Sequence, residues 1–434
     1  MPDARLSRRS ALKGLAATSA LLTAPTLLAA CGDDDGKTAD SGAPTDPITF
    51  GSNYSDDATK QAFAALCAAA TSATKVPITV NTTDHNTFQN NISSYLQGTP
   101  DSLATWFAGY RLQFFAAQGL LTPIDDVWEK IGGTFNDAAK NLSKGIDGHY
   151  YLVPLYNYPW VVFYNKSVFA AKGYQVPTTW DAFIALCQKM KTDGLIPVAF
   201  AEKDGWPALG TFDILNLRIN GYDFHMQLMK HEVPWTDPKV AAVFDQWRQL
   251  MPYVQNGANG RTWQDAAKTL ENKQAGMMFQ GSNQVAANYA PGNLADLDFF
   301  VYPAINPAYG QDFMDAPTDG FILPKKGRNS AAAKTVLQYI GTGEAETNFL
   351  QNDHWDVGLA NGLVAPTYNE IQKKSVAEIA KCKNVSQFMD RDTVPDMATA
   401  MIKLIQTFID DPSPATVTSI LKSAEDQAKT IFTK

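Results

Sequence analysis

Residues 148–166 read GHYYLVPLYNYPWVVFYNK, and the fold turns on them. An Asp147-Gly148 turn opens the stretch, and β-branched and aromatic residues follow in near-alternation, as in a strand. Pro154 and Pro159 interrupt it, and proline brings no N–H to a ladder, so neither half reads as a long central strand. Tyr156, Tyr158 and Trp160 share this one short segment. A strand broken twice by proline suits a passage between two lobes; the competing reading is an edge strand with an aromatic face.

At 434 residues the chain exceeds one ordinary core, so two domains are expected. Its 45% apolar and 18% charged residues are the balance of a soluble globular protein. Residues 1–30 carry Arg5, Arg8, Arg9 and Lys13 against Asp3, which leaves 32 basic and 43 acidic residues beyond them, net −11. Such an acidic surface argues against a nucleic-acid partner.

The leader has its own reading. Ser7-Arg8-Arg9 followed by Leu12-Lys13 resembles a twin-arginine export signal, and the apolar run after it, containing Pro25, is too short to span as a mature helix. Leu28-Ala29-Ala30-Cys31 resembles a bacterial lipobox, in which the cysteine is diacylated and becomes the new N-terminus. An uncleaved anchor is the competing reading, disfavoured by the small residues before Cys31 and the polar Gly32-Asp33-Asp34-Asp35 after it. Two acyl chains hold a protein stably where one is marginal. Residues 1–31 are therefore expected to be a lipoprotein signal, and 32–46 an acidic tether too poor in apolar residues to order itself. Cys67, Cys187 and Cys382 remain, an odd number in an oxidising compartment. One disulfide with one free thiol stays open, although Cys67 and Cys187 lie in apolar helical patterns, where buried free thiols are commoner, and no metal spacing exists.

Along the mature chain, a strand from Pro47, a helix from Asp56, a strand at 76–80, a helix at 87–96 and a strand at 101–107 alternate. Such alternation indicates βαβ units and a mainly parallel sheet, with ligands beyond the carboxyl ends of the strands. Those ends carry Asn53-Tyr54, Asp84-His85-Asn86 and Trp106-Phe107 with Tyr110-Arg111. Later, Thr179 caps a helix that closes at Gly194, and 196–201 reads as a strand ending near Glu202 and Trp206. A periodic helix covers 240–250, with Trp247 read as core, and 298–303 and 320–324 read as strands returning to the first lobe. The remainder is mostly helical, broken at 386–391.

The order G-x-x-Y-x-x-P…V-x-Y-N-K, followed by Pro177 to Phe183 as P-x-T-W-D-A-F, resembles the solute-binding proteins of ABC sugar importers, the maltose-binding type. Leu270 to Met278 is similar to the return strand of that family, and Asn283 departs from it where many relatives carry a stacking tryptophan. The resemblance implies a two-lobe α/β fold of the type II periplasmic-binding-protein kind, with three crossings between lobes. It sets one lobe at 47–157 with 283–328 and the other at 158–282 with 329–434, the helix at 331–340 crossing once more.

A sugar offers flat C–H faces and a ring of hydroxyls, which aromatic rings and planar polar side chains match respectively. The stacking candidates are Trp106, Tyr110, Trp160 and Trp206, and Tyr158 on the crossing is a further ligand-binding candidate. The hydroxyl-reading candidates are Asn53, Asp84, Arg111, Asn283 and Asp319, with Asp390 and Arg391 from the second lobe. Plain alternatives accompany them: core packing for the tryptophans, helix capping for Asp84 and Asn86, a turn for Asp319, a surface ion pair for Asp390-Arg391. Trp128, Trp180 and Trp235 read as core.

The five histidines are scattered without HExxH, and neither a nucleophile elbow nor a phosphate-binding glycine motif occurs. A glycosidase carboxylate pair about 5–10 Å apart leaves no trace in sequence, so a secreted carbohydrate hydrolase or lyase is the competing class. A purely structural surface lipoprotein fits poorly with so many aromatics near strand ends. The expectation is a monomeric, cofactor-free lipoprotein on the outer face of the cell membrane, binding a mono- or short oligosaccharide for an ABC permease without performing chemistry.

Overall fold

The computed structural model describes residues 43–360 and 368–432, so the signal, Cys31 and most of the tether lie outside the described residues. Two sheets organise the rest. The first holds β1 (Ile48–Ser52), β2 (Ile78–Thr82), β3 (Leu103–Phe107) and β4 (Leu152–Asn157). The second holds β5 (Trp160–Asn165), β6 (Ile196–Val198), β7 (Ala275–Gly281) and β8 (Leu297–Phe300). A short parallel ribbon joins β9 (Phe313–Asp315) to β12 (Asn384–Ser386), while β10 (Thr318–Ile322) and β11 (Val357–Gly358) return to the first sheet. The strand orders are β11-β4-β10-β3-β1-β2 and β6-β7-β5-β8.

The first sheet begins as the alternation predicts. β1 pairs in parallel with β2 and β3, and the crossovers are the helices Asp57–Thr74 and His85–Gln97. All five residues of β3 are buried, as befits a central strand covered on both faces. Phe50 of β1 meets Phe63 and Phe321 edge-on at 5.0 and 5.2 Å, fixing helix and β10 to one core. In the second half, Trp247 lies fully buried against Phe408 at 5.0 Å, between the helices Pro238–Leu250 and Pro395–Asp410. Trp128, Trp180 and Trp235 are buried too.

Three expectations are corrected. The sheets are mixed, since β10 runs antiparallel to β3 and β4 and β5 runs antiparallel to β7 and β8. β8 belongs to the second sheet, because Phe299 and Phe300 pack on Phe163, Tyr164 and Phe183 there. The helix Ser330–Ile340 stays with the first, its Ala332–Ala333 face packed on the Asp57–Thr74 helix, and Gly343–Leu350 follows it. The strand at 297–300 thus leaves the expected first lobe, and residues 330–350 leave the expected second.

The chain passes between the sheets across Tyr158-Pro159, and again from β8 through the ribbon to β10. After β11 it is back on the second half, where Ile371 of the Glu370–Lys381 helix joins the core and Lys374 donates to Asp298 at 2.7 Å. Cys67, Cys187 and Cys382 are free, and burial pushes the first two thiols up to about 12, leaving them inert. No helix among the described residues is long and apolar enough to cross a membrane.

Candidate functional site

A cleft lies where the end of β1 and the start of β10 meet the start of β5. One wall is polar. Asn53, just past β1, is held on both sides by Thr105: its backbone N–H donates to the hydroxyl oxygen at 2.9 Å, and that hydroxyl donates to its Oδ1 at 2.7 Å. Its remaining amide nitrogen reaches Nδ1 of His85 at 3.5 Å. His85 opens the His85–Gln97 helix, and one turn on Gln89 meets its Nε2 at 2.7 Å. Burial lowers the imidazole's proton affinity, so this wall presents a neutral ring.

An ion network closes the floor. Asp319 of β10 accepts from the Tyr156 hydroxyl at 2.9 Å and from Arg391 Nη1 at 2.5 Å. Arg391 also donates to the Tyr158 hydroxyl at 3.0 Å and lies 3.9 Å over the Phe107 ring. Burial works against the Arg391 charge, but Asp319, Tyr158 and Asp390 outweigh it and hold the guanidinium above its ordinary value. Asp390 beside it is buried, which raises its carboxyl, while Arg111 and Arg391 oppose the rise.

The other wall is aromatic. Trp160 begins β5 and lies 4.7 Å from Phe388, and Trp206 lies 5.1 Å from Trp263. Gly210 makes this packing possible, since a Cβ there would fall 2.4 Å from the Trp160 ring. Trp206 donates to Asn86 Oδ1 at 3.1 Å, and Asn86 donates to Asp204 at 2.9 Å, tying the two halves together at the rim. Phe388 holds a left-handed φ of +123°, which for an aromatic residue is a strained backbone. Its neighbours are anchored by buried carboxylates: Met389 N–H donates to Asp213 at 2.7 Å, Gln387 N–H to Asp392 at 2.8 Å, and the Ser386 hydroxyl to Asp315. Asp390 Oδ1, Asn283 Oδ1 and the indole nitrogens of Trp160 and Trp263 are buried without a hydrogen bond inside the chain, all on residues that line the cleft. Each such orphan costs about 1–3 kcal/mol unless a ligand or solvent meets it.

Eight of the twelve sequence candidates line this one cleft: Asn53, Tyr158, Trp160, Trp206, Asn283, Asp319, Asp390 and Arg391. Four do not. Trp106 is core, stacked at 4.7 Å on Phe107 and packed on Phe88 and Phe115. Asp84 caps the helix, accepting the Thr87 N–H at 2.9 Å. Tyr110 begins the Tyr110–Ala117 helix outside the lining, and Arg111 stands behind Asp390 rather than at the surface of the cleft. Sequence reading missed Gln89, Asp56, Trp263, Gln284 and Phe388 as lining residues. Gln89 had a signal, four residues after His85 on one helical face. Phe388 had none, because its exposure to the cleft depends on a backbone conformation that sequence does not announce.

The model of the bacterial extracellular solute-binding protein family matches residues 53–347, from the polar wall to the helices behind the first sheet. The chain belongs to that family. Among curated relatives, an uncharacterized ABC transporter extracellular-binding protein of Pyrococcus horikoshii is 28% identical over 66% of this chain and 65% of its own. The multiple sugar-binding protein of Streptococcus mutans is 30% identical over 52% of this chain and 58% of its own. The chain thus spans less than two thirds of the length of these curated relatives. Among solved structures, the bacterial solute receptor AcbH, described by an exclusive substrate preference for β-D-galactopyranose, superimposes with a TM-score of 0.89. It is 81% identical, covering 89% of this chain and 100% of that one. A chitin oligosaccharide binding protein gives 0.78 at 18% identity over 88% and 100%, a likeness of fold alone.

Proposed function

We propose that this solute-binding protein captures a single hexopyranose, with β-D-galactopyranose the first candidate, in the cleft between its lobes and hands it to an ABC permease. The observation that carries the reading is the facing of an aromatic wall and a polar wall across one cleft, in a chain 81% identical to a galactopyranose receptor. Trp160, Trp206 and Trp263 supply faces for C–H stacking. Asn53, His85, Asp319, Asp390, Arg391 and Asn283 supply donors and acceptors, of which Asp390 and Asn283 each hold an oxygen in reserve. Tyr158, on the passage between sheets, would report closure from the sugar to both lobes. The permease and its ATPase are separate chains in this reading, and the protein itself is a monomer without cofactor or nucleic acid. Twin-arginine export and lipidation of Cys31 would hold it on the outer face of the cell membrane, the tether spacing it from the lipid.

Hydrolysis is the reading to set against it. Asp319 and Asp390 both line the cleft, but Arg391 is bound to Asp319 and Arg111 to Asp390, which keeps them from acting as a proton donor and nucleophile pair. The test is a thermal-shift screen of the protein lacking residues 1–31 against monosaccharides, disaccharides and xylo-, cello- and maltodextrins. A ligand at one hundred times its dissociation constant stabilises by about 2.7 kcal/mol, and D-galactose should give that shift and be recovered intact. Release of shorter sugars would assign the protein to the hydrolases, and silence across the panel would remove carbohydrate as its ligand.

A further inference from the structure

Arg111 enters the sequence reading as a hydroxyl contact, yet the structure sets it one layer behind the cleft. Its Nη1 and Nη2 donate to Oε1 and the backbone carbonyl of Gln89, each at 3.2 Å, and its guanidinium lies 5.1 Å from the Trp106 ring centroid. Clamped in this way, it points Nη1 at Asp390 Oδ2 from 3.5 Å, with both side chains about nine-tenths buried. The other oxygen of Asp390 stands 4.0 Å from Arg391 Nε and makes no hydrogen bond within the chain, and the residue lines the cleft. Gly109, at φ +96°, lets the chain pass this close, because a Cβ there would fall 2.9 Å from the Arg391 carbonyl oxygen.

We propose that Arg111 is a positioning residue that touches no ligand itself and keeps Asp390 an anion, so that the free carboxylate oxygen accepts a sugar hydroxyl and capture persists into acid. The proposal rests on the cleft being the sugar site.

The charges facing Asp390 come from every element around it. Arg391 and Asp392 share its short helix, Met389–Asp392. Arg111 comes from the Tyr110–Ala117 helix, His85 from the His85–Gln97 helix, Asp319 from β10 and Asp213 from the Pro207–Met229 helix. Burial raises the carboxyl, and Arg111 is the largest of the groups that oppose it. Arg391 comes second, and it is shared with Asp319. His85 adds a smaller opposing contribution, which burial of its imidazole weakens, and Asp319 repels the anion, while burial pushes the Asp213 carboxyl well up. Removing Arg111 therefore leaves an anion with a divided partner in a dry site.

The sign follows. The carboxylate binds above its pKa and loses its acceptor oxygen below it, so affinity falls as pH drops through that value. An opposite charge within about 4–6 Å lowers a carboxyl pKa by roughly 1–3 units, so its loss should raise the midpoint of that fall by about one pH unit or more.

D-galactose affinity of the wild type, Arg111→Met and Arg111→Lys is to be measured by calorimetry from pH 4 to pH 8. Arg111→Met should bind within about tenfold of wild type at pH 8 and lose affinity at a pH about one unit higher on acidification. Arg111→Lys should restore most of the range. Asp390→Asn should bind weakly with no such midpoint, in the presence or absence of Arg111. A loss in Arg111→Met that is equal at every pH would overturn the proposal and make Arg111 a structural brace for Gln89. Failure of the wild type to bind D-galactose at any pH would break the functional reading. The Arg111 effect then remains readable from the pH dependence of urea midpoints: wild type and Asp390→Asn should differ most in the Arg111→Met background. Equal differences in both backgrounds would also overturn the proposal.

Discussion

The two walls of the cleft solve opposite problems. The polar wall is a chain of fixed partners, Thr105 holding Asn53 and Asn53 reaching towards His85, with Gln89 beyond it. The aromatic wall is a set of rings fixed by shape, with Gly210 leaving the room that Trp160 fills. In the first, position comes from hydrogen bonds that must each be met; in the second, from volume. Arg391 lies in the floor between them, bonded to Asp319 and stacked on Phe107 behind it. In the proposed reading, selectivity for hydroxyl geometry would belong to the polar wall and C–H stacking to the aromatic one.

Substitutions can break that contrast. Arg391→Ala should have the largest effect, because it strands the Asp319 carboxylate in a buried site; stability should fall by about 3–5 kcal/mol in urea titration, and sugar binding should vanish. A variant that stayed as stable as wild type would mean that Asp319 finds other partners. Gly210→Ala challenges volume alone, leaving every hydrogen bond of the polar wall in place. Overpacking against Trp160 should cost about 1–3 kcal/mol, with a weakened sugar stack seen as a smaller change in tryptophan fluorescence on ligand addition. Unchanged fluorescence would show that the ring yields freely. Asn86→Ala, at the rim, should have the smallest effect, roughly 0.5–1.5 kcal/mol of sugar affinity through loss of the Trp206 and Asp204 bonds between halves. Its signature should be faster sugar release with little change in capture rate, measured by stopped flow.

The same contrast explains what the sequence made legible. Trp160 and Trp206 stand at the passage and at a strand end, where a large ring has a reason to face a cleft, and both line it. Trp106 stands at a strand end too, but it points to the side where Phe88 and Phe115 wait, and period-two alternation alone does not say which face meets solvent. Asp84 and Asn53 are the same kind of residue in the same kind of place. One caps a helix and the other lines the cleft, because capping and ligand recognition draw on the same short polar side chains. The two-lobe architecture was readable from the double proline and the order of motifs, whereas the sheet that claims β8 was not. That choice rests on Phe299 and Phe300 meeting aromatics far away in sequence.

Only Tyr158 and Pro159 separate β4 from β5. A link so short, with proline fixing one of its torsions, would act in the proposed closure as a fulcrum rather than a flexible joint. Tyr158, within that link, and Trp160, just after it, both line the cleft. A rotation there moves the cleft walls by little and the outer rims by much, as the two ends of a long pair of tongs respond to a small turn at the pin. In the reading proposed above, a few ångströms of sugar would become a change of outline broad enough for a permease to sense from outside.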